Sequence, residues 1–257
     1  GGLLTKVGVY ALFRMVSLIF AEHVDFTLPV MAIVAGCTMF FGVIGALSQW
    51  DFKRILSYHI ISQVGYMLMG LALFTPLGLA GGVFYIIHHI LVKTALFLVA
   101  GCVEKARGTT YLASLGGVIE SAPFLTGLFV VAGLSLAGSP PLSGFVAKFM
   151  LVRAGLENAS YAIVAVSLVV SFLTLFSMMK VYRYVFWGVP HDRPSAEGGV
   201  AGRTAAVASL VALGVALGLG AALAVPYAGL AAEQLLDPSA YAAAVLGGGR
   251  CASWEQR

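Results

Sequence analysis

The chain has 257 residues, 60% of them hydrophobic and 10% charged, with a mean hydropathy of +0.96. Soluble domains carry about 25% charged residues, so this composition excludes a water-soluble globular domain and predicts an integral membrane protein. A formal charge of +4, scattered through short loops, argues against nucleic acid as a partner and leaves the lipid bilayer.

In chain order, seven apolar runs are long enough to cross a bilayer, which takes about 20 residues. They are Gly2 to Phe20, Leu28 to Gln49, Ile55 to Phe74, Gly78 to Cys102, Pro123 to Val152, Tyr161 to Phe186 and Thr204 to Pro226. The first opens at Gly1 inside apolar sequence, without a methionine, basic n-region or cleavage site. No signal peptide is read there, and a missing upstream part is expected. Pro29, Pro76, Gly108, Pro190 and Pro194 break the connections, and Asp25 and Asp51 mark further turns. The strict alternation of an outer-membrane barrel is absent. The expected fold is all-α, with a membrane domain over residues 1–227. Ala231 to Leu246 is expected as an amphipathic or interfacial helix within a tail of residues 228–257 that ends in GGGR. Cys37, Cys102 and Cys251 are odd in number and give no disulfide framework.

Loop charge sets an orientation. The connections after the second, fourth and sixth runs carry Lys53, Arg54, Lys105, Arg107, Lys180, Arg183, Arg193 and Arg203, against Arg14 and Arg153 after the others. The positive-inside rule makes the first set cytoplasmic. The N-terminal end is then expected inside and the C-terminal end outside. Gly214 and Gly218 form a small-residue pattern expected to pack against another helix.

Lys6, His88, His89 and Lys93 lie inside apolar runs, with Lys148 nearer an end. A charge at the bilayer centre costs about 2.5 to 3.5 kcal/mol on insertion scales. The side chain must therefore face other helices, water or a counter-charge, or shed its proton, and a lysine that can do so is a proton carrier. His89 and Lys93 are four residues apart and share a helix face. Two readings stay open for them: a lateral proton relay, or a carbonyl-bonded histidine beside a lysine paired with an acid. His88 points about 100° away.

The run from Pro123 to Val152 would be about 45 Å long as one helix, against a hydrocarbon core of roughly 30 Å. Ser139, Pro140, Pro141 and Gly144, in SPPLSG, are expected to split it into two half-helices. Unwound backbone at that depth survives where protein or an aqueous cavity shields it, and broken helices form ion sites in transporters. Lys148 follows the break by about one turn; it either faces that site or snorkels towards Arg153. No P-loop, nucleophile elbow or metal-ligand motif is present, so neither an enzyme nor a cofactor or metal is expected.

Four ordered blocks carry a family resemblance: GLLTKVGVYALFR (Gly2 to Arg14), DFKRILSYHIISQVGYM (Asp51 to Met67), HHILVKTALFLVAG (His88 to Gly101) and SPPLSGFVAKF (Ser139 to Phe149). They resemble the antiporter-like membrane subunits shared by Mrp-type sodium/proton antiporters, respiratory complex I and membrane-bound hydrogenases. With VFWG at Val185 to Gly188, they are most similar to the D-type branch of the Mrp antiporters. The resemblance implies a fourteen-helix protein of which this chain holds helices eight to fourteen. Lys6 would match the central lysine of helix eight, His89 and Lys93 the relay of helix eleven, and Lys148 the lysine of broken helix twelve. The glutamate of helix five and the lysine of helix seven would lie upstream of Gly1, so the chain alone is not expected to transport. Where some relatives carry a second histidine, this chain has Tyr85.

The implied function is a proton-translocating subunit of a Na+ (or K+)/H+ antiporter in a bacterial or archaeal cell membrane, with other membrane subunits of a hetero-oligomeric complex as partners. Two alternatives remain: a redox-driven pump subunit of complex I or a hydrogenase, and a structural membrane subunit.

Overall fold

The computed structural model describes residues 2–20, 24–188, 200–237, 239, 241 and 245. Its helices are α1 (Leu4–Leu18), α2 (Val24–Ser48), α3 (Phe52–Leu73), α4 (Pro76–Arg107), α5 (Val118–Ser121), α6 (Pro123–Ala137), α7 (Ser143–Glu157), α8 (Tyr161–Val181), α9 (Val200–Leu219) and α10 (Ala221–Leu236). A π-helical turn, Tyr182–Phe186, extends α8. Among the described residues no strand forms, and an isolated bridge joins Asp51 to Tyr111.

Local chemistry explains the boundaries. The Asp51 carboxylate caps α3 by accepting from the Arg54 N–H at 2.9 Å. Thr75 caps α4 by accepting from the Gly78 N–H at 3.1 Å, with Pro76 at the first helical position, where no N–H is needed. Gly108, in the left-handed region, closes α4. The helices α2, α3, α4 and α8 are each long and apolar enough to span a membrane. Two fifteen-residue helices, α6 and α7, divide the expected long run between them. The protein is an all-α, multi-pass membrane protein.

The last span departs from expectation. It stops at Leu219 rather than Pro226, and α10 turns away from it by 81°. Pro226 lies inside α10, as does the 227/228 boundary at which a tail was expected. The reason is burial: Ala228, Ala232 and Leu235 of α10 join the core that α4 also lines. Most of the expected helix beyond Leu236, and the GGGR segment, lie outside the described residues.

The interior holds two apolar clusters. One gathers Phe13, Met39, Met67, Phe84 and Leu151, the other Phe52, Leu96, Phe129, Phe186 and Val207. Residues 79–85 of α4 feed the first and residues 92–103 the second, so His88 and His89 fall at their junction. Cations gather at one end of the bundle. Lys180 donates to the Leu47 and Gln49 carbonyls at the end of α2 and lies 4.3 Å from the Trp50 ring centre. Lys53 pairs with Glu104 at 2.5 Å, both side chains about two-fifths exposed. Exposed pairs contribute little, so Lys53→Met is expected to cost less than about 1 kcal/mol, read as an almost unchanged thermal midpoint.

Candidate functional site

The break begins where Gly138 adopts a φ of 94° and ends α6. Residues 138–142 are unwound and include Ser139, Pro140 and Pro141; Gly144 sits in the first turn of α7. Gly144 has no room for a side chain, because a Cβ there would lie 1.8 Å from the Ser135 carbonyl oxygen. On the other side α9 presses Gly218 against the loop; a Cβ on Gly218 would lie 2.5 Å from the Ser143 nitrogen. Protein covers the loop on this side, where Gly218 meets the main chain of Pro141, Leu142 and Ser143, while Pro140 and Pro141 are exposed. Gly214, the other half of the small-residue pattern, faces Val92 of α4.

Lys148 turns back towards α6 rather than out towards Arg153. Its Nζ donates to the carbonyls of Leu136 (3.2 Å) and Ala137 (2.8 Å) and to Ser171 Oγ (2.7 Å), and lies 4.7 Å from the centre of the Tyr66 ring. All three ammonium donors are used. Beside it opens a cleft of about 330 Å³, lined by Ser139, Phe145, Phe149, Leu168 and Phe172 among others.

The expected pair on α4 is fully buried. Lys93 reaches across to α3 and donates to the Leu56 carbonyl at 2.9 Å, meeting a main-chain oxygen rather than an acid. Neither nitrogen of His89 has a protein partner among the described residues, and its ring stacks on Tyr85 at 6.3 Å. Lys6 of α1, also buried, donates to Thr5 Oγ1 at 3.1 Å. Lys6, His59, His88 and Lys93 all lie within Coulomb reach of His89. His88 faces the break instead, with Nδ1 2.8 Å from Ser143 Oγ.

Several polar residues of the site were not singled out from the sequence. His59, Ser62, Gln63 and Tyr66 are buried on α3. His59 Nε2 lies 2.9 Å from Ser177 Oγ of α8, Tyr85 OH donates to Gln63 Oε1, and Tyr66 OH donates to the Ser167 carbonyl at 2.5 Å. The Tyr66 and Tyr85 rings stack with centroids 5.4 Å apart. The signal was legible: positions 59, 62, 63 and 66 repeat at i, i+3, i+4 and i+7, a polar stripe on one face of an apolar helix.

The chemistry available is that of bases. Lys6, His59, His88, His89, Lys93 and Lys148 are buried side chains of a type able to hold a proton, and any two charges among them would oppose each other in a low dielectric. His59 Nδ1, His88 Nε2, both His89 nitrogens and Ser135 Oγ are buried without a protein partner among the described residues. Buried polar atoms are almost always hydrogen-bonded, to water where protein does not serve, so this junction is suited to water. Among the described residues no group of His, Cys, Asp and Glu could hold a metal.

The matching family model, over residues 1–174, is described as NADH:quinone oxidoreductase/Mrp antiporter, transmembrane, and the chain belongs to that family. A curated relative, the D-type component of the Na(+)/H(+) antiporter of Alkalihalophilus pseudofirmus, is 51% identical over 96% of this chain and 50% of its own. Among solved structures, a chain of the Mrp complex from Dietzia sp. superposes with a TM-score of 0.88 at 36% identity, covering 96% of this chain and 54% of that one. A chain of respiratory complex I from Thermus thermophilus gives 0.78 at 26% identity, over 91% and 50%. The chain spans about half the length of the curated relatives it matches.

Proposed function

We propose that this chain is the proton-translocating part of a subunit in a multisubunit Na+ (or K+)/H+ antiporter, a secondary transporter rather than an enzyme. The observation that carries this reading is the buried row of bases running from α1 through α4 to the break before α7. Lys6 holds a central proton, His89 and Lys93 pass it laterally, and Lys148 exchanges it at the broken helix, with His88 beside the break. Each protonation raises the cost of the next through Coulomb repulsion. The partners are other membrane subunits of the complex in a prokaryotic plasma membrane, with the N-terminal end of this chain cytoplasmic and the C-terminal end outside. Identity of 51% to an antiporter subunit, against 26% to a complex I chain, favours exchange over redox-driven pumping.

The test is sodium-driven dissipation of a pH gradient in everted vesicles carrying the full complex. Lys6→Ala and Lys148→Ala, made separately, are each expected to cut exchange at least about tenfold, the scale of one lost charge-assisted interaction. Partner subunits should remain at normal level on blots. Full exchange in both variants would make the lysines structural and overturn the reading.

A further inference from the structure

We propose that the oxygen cage around the Lys148 ammonium is itself a binding site for a desolvated monovalent cation, with the lysine as its tethered competitor. This rests on the exchange reading above and names where the second ion enters. The cage consists of the Leu136 and Ala137 carbonyls and the Ser171 hydroxyl, at 3.2, 2.8 and 2.7 Å from Nζ. All three donors are oxygen, the ligand type that hard cations take. All three are neutral, so the cage compensates one positive charge and leaves a second one buried and unpaired.

The two carbonyls belong to the last turn of α6, where main-chain oxygens run out of helical partners and carry the helix's partial negative charge. The face of Tyr66, 4.7 Å away, attracts any cation on another side. An ammonium is close in size to a potassium ion and larger than a sodium ion. The cage therefore takes potassium as it stands and sodium by contracting.

The cleft lined by Ser139, Phe145 and Phe172 leaves room for a displaced amine. In the exchange, the ammonium releases one proton to water and becomes a neutral amine. One cation then fills the cage, and the site carries a single positive charge before and after. The titratable groups facing Lys148 are Tyr66 and His59 from α3 and His88 from α4. From α6 and α8 it meets carbonyls and a hydroxyl, and α9 carries no titratable side chain between Thr204 and Leu219.

The experiment uses the purified intact complex in weak buffer, with NaCl, KCl or choline chloride added and proton release followed. Sodium or potassium is expected to release protons where choline does not. Ser171→Ala, which removes one cage oxygen, should raise the half-saturating cation concentration about tenfold. Lys148→Met empties the cage of its ammonium; it should lose that proton release and gain a thermal stabilisation by Na+ or K+ over choline. Unchanged half-saturation in Ser171→Ala would overturn the proposal, and so would an absence of cation-specific stabilisation in Lys148→Met. If Lys148→Met fails to assemble, the Ser171→Ala titration decides alone. Loss of transport in Lys148→Ala together with an indifferent cage would leave the proton role standing and remove the cation site only.

Discussion

Gly144→Ala is expected to destabilise the protein by about 3 kcal/mol or more, at the upper end of the range for overpacked interiors. The added methyl group would sit 1.8 Å from the carbonyl oxygen of Ser135, a main-chain atom that no rotamer change can move aside. Relief requires the two half-helices to separate, which would disturb the Leu136 and Ala137 carbonyls that hold Lys148. Gly127→Ala, in the same broken span, is the control, since a Cβ there meets nothing within 4 Å. It should be neutral or stabilising by up to about 1 kcal/mol through helix propensity. Thermal unfolding of the purified complex, or its yield on blots, reads both. A Gly144→Ala complex as stable as wild type would mean the two halves are not in main-chain contact.

Lys93→Met should abolish exchange while leaving the fold close to wild type. Methionine matches the lysine stem in length and needs no hydrogen bond. The Leu56 carbonyl that accepts from Lys93 lies within α3, where the helix supplies it with an N–H four residues on, so removing the amine strands no acceptor. A purely structural lysine predicts the reverse, a complex that fails to assemble. Sodium-dependent pH-gradient dissipation falling at least about tenfold with normal assembly supports a transport role. Retained exchange would take Lys93 out of the path.

Much of this architecture was readable from hydrophobic run lengths. The break at SPPLSG was readable because two prolines interrupt an apolar run too long for one crossing. Lys93 and His89 stood out because charge and imidazole are rare in such runs. The polar stripe of α3 is faint in the sequence because Ser62, Gln63 and Tyr66 carry no charge, and His59 lies close to the charges Lys53 and Arg54 in the first turn of the helix. Which oxygens receive each lysine was not readable at all: Leu56, Leu136 and Ala137 act through their main chain, which residue type does not report. The bend after Leu219 escaped for a related reason, since α10 is held by alanines whose burial depends on α4 rather than on any pattern of their own.

The hairpin of α3 and α4 sets the register of these groups from a distance. Beside the turn the two helices touch main chain to main chain: a Cβ on Gly70 would lie 2.6 Å from the Gly78 oxygen and 2.9 Å from the Gly82 Cα. Lys93 follows Gly82 by eleven residues, about 16 Å along the axis, and there the helices are linked by a lysine reaching over to a carbonyl. The glycine contact is a fulcrum and the lysine is the far end of the lever. A methyl group wedged in at Gly70 would change the gap that Lys93 has to cross. The alignment of the bases is therefore governed in part by residues that carry no polar side chain, and second-site variants that retune ion exchange should arise at these glycines as well as among the bases.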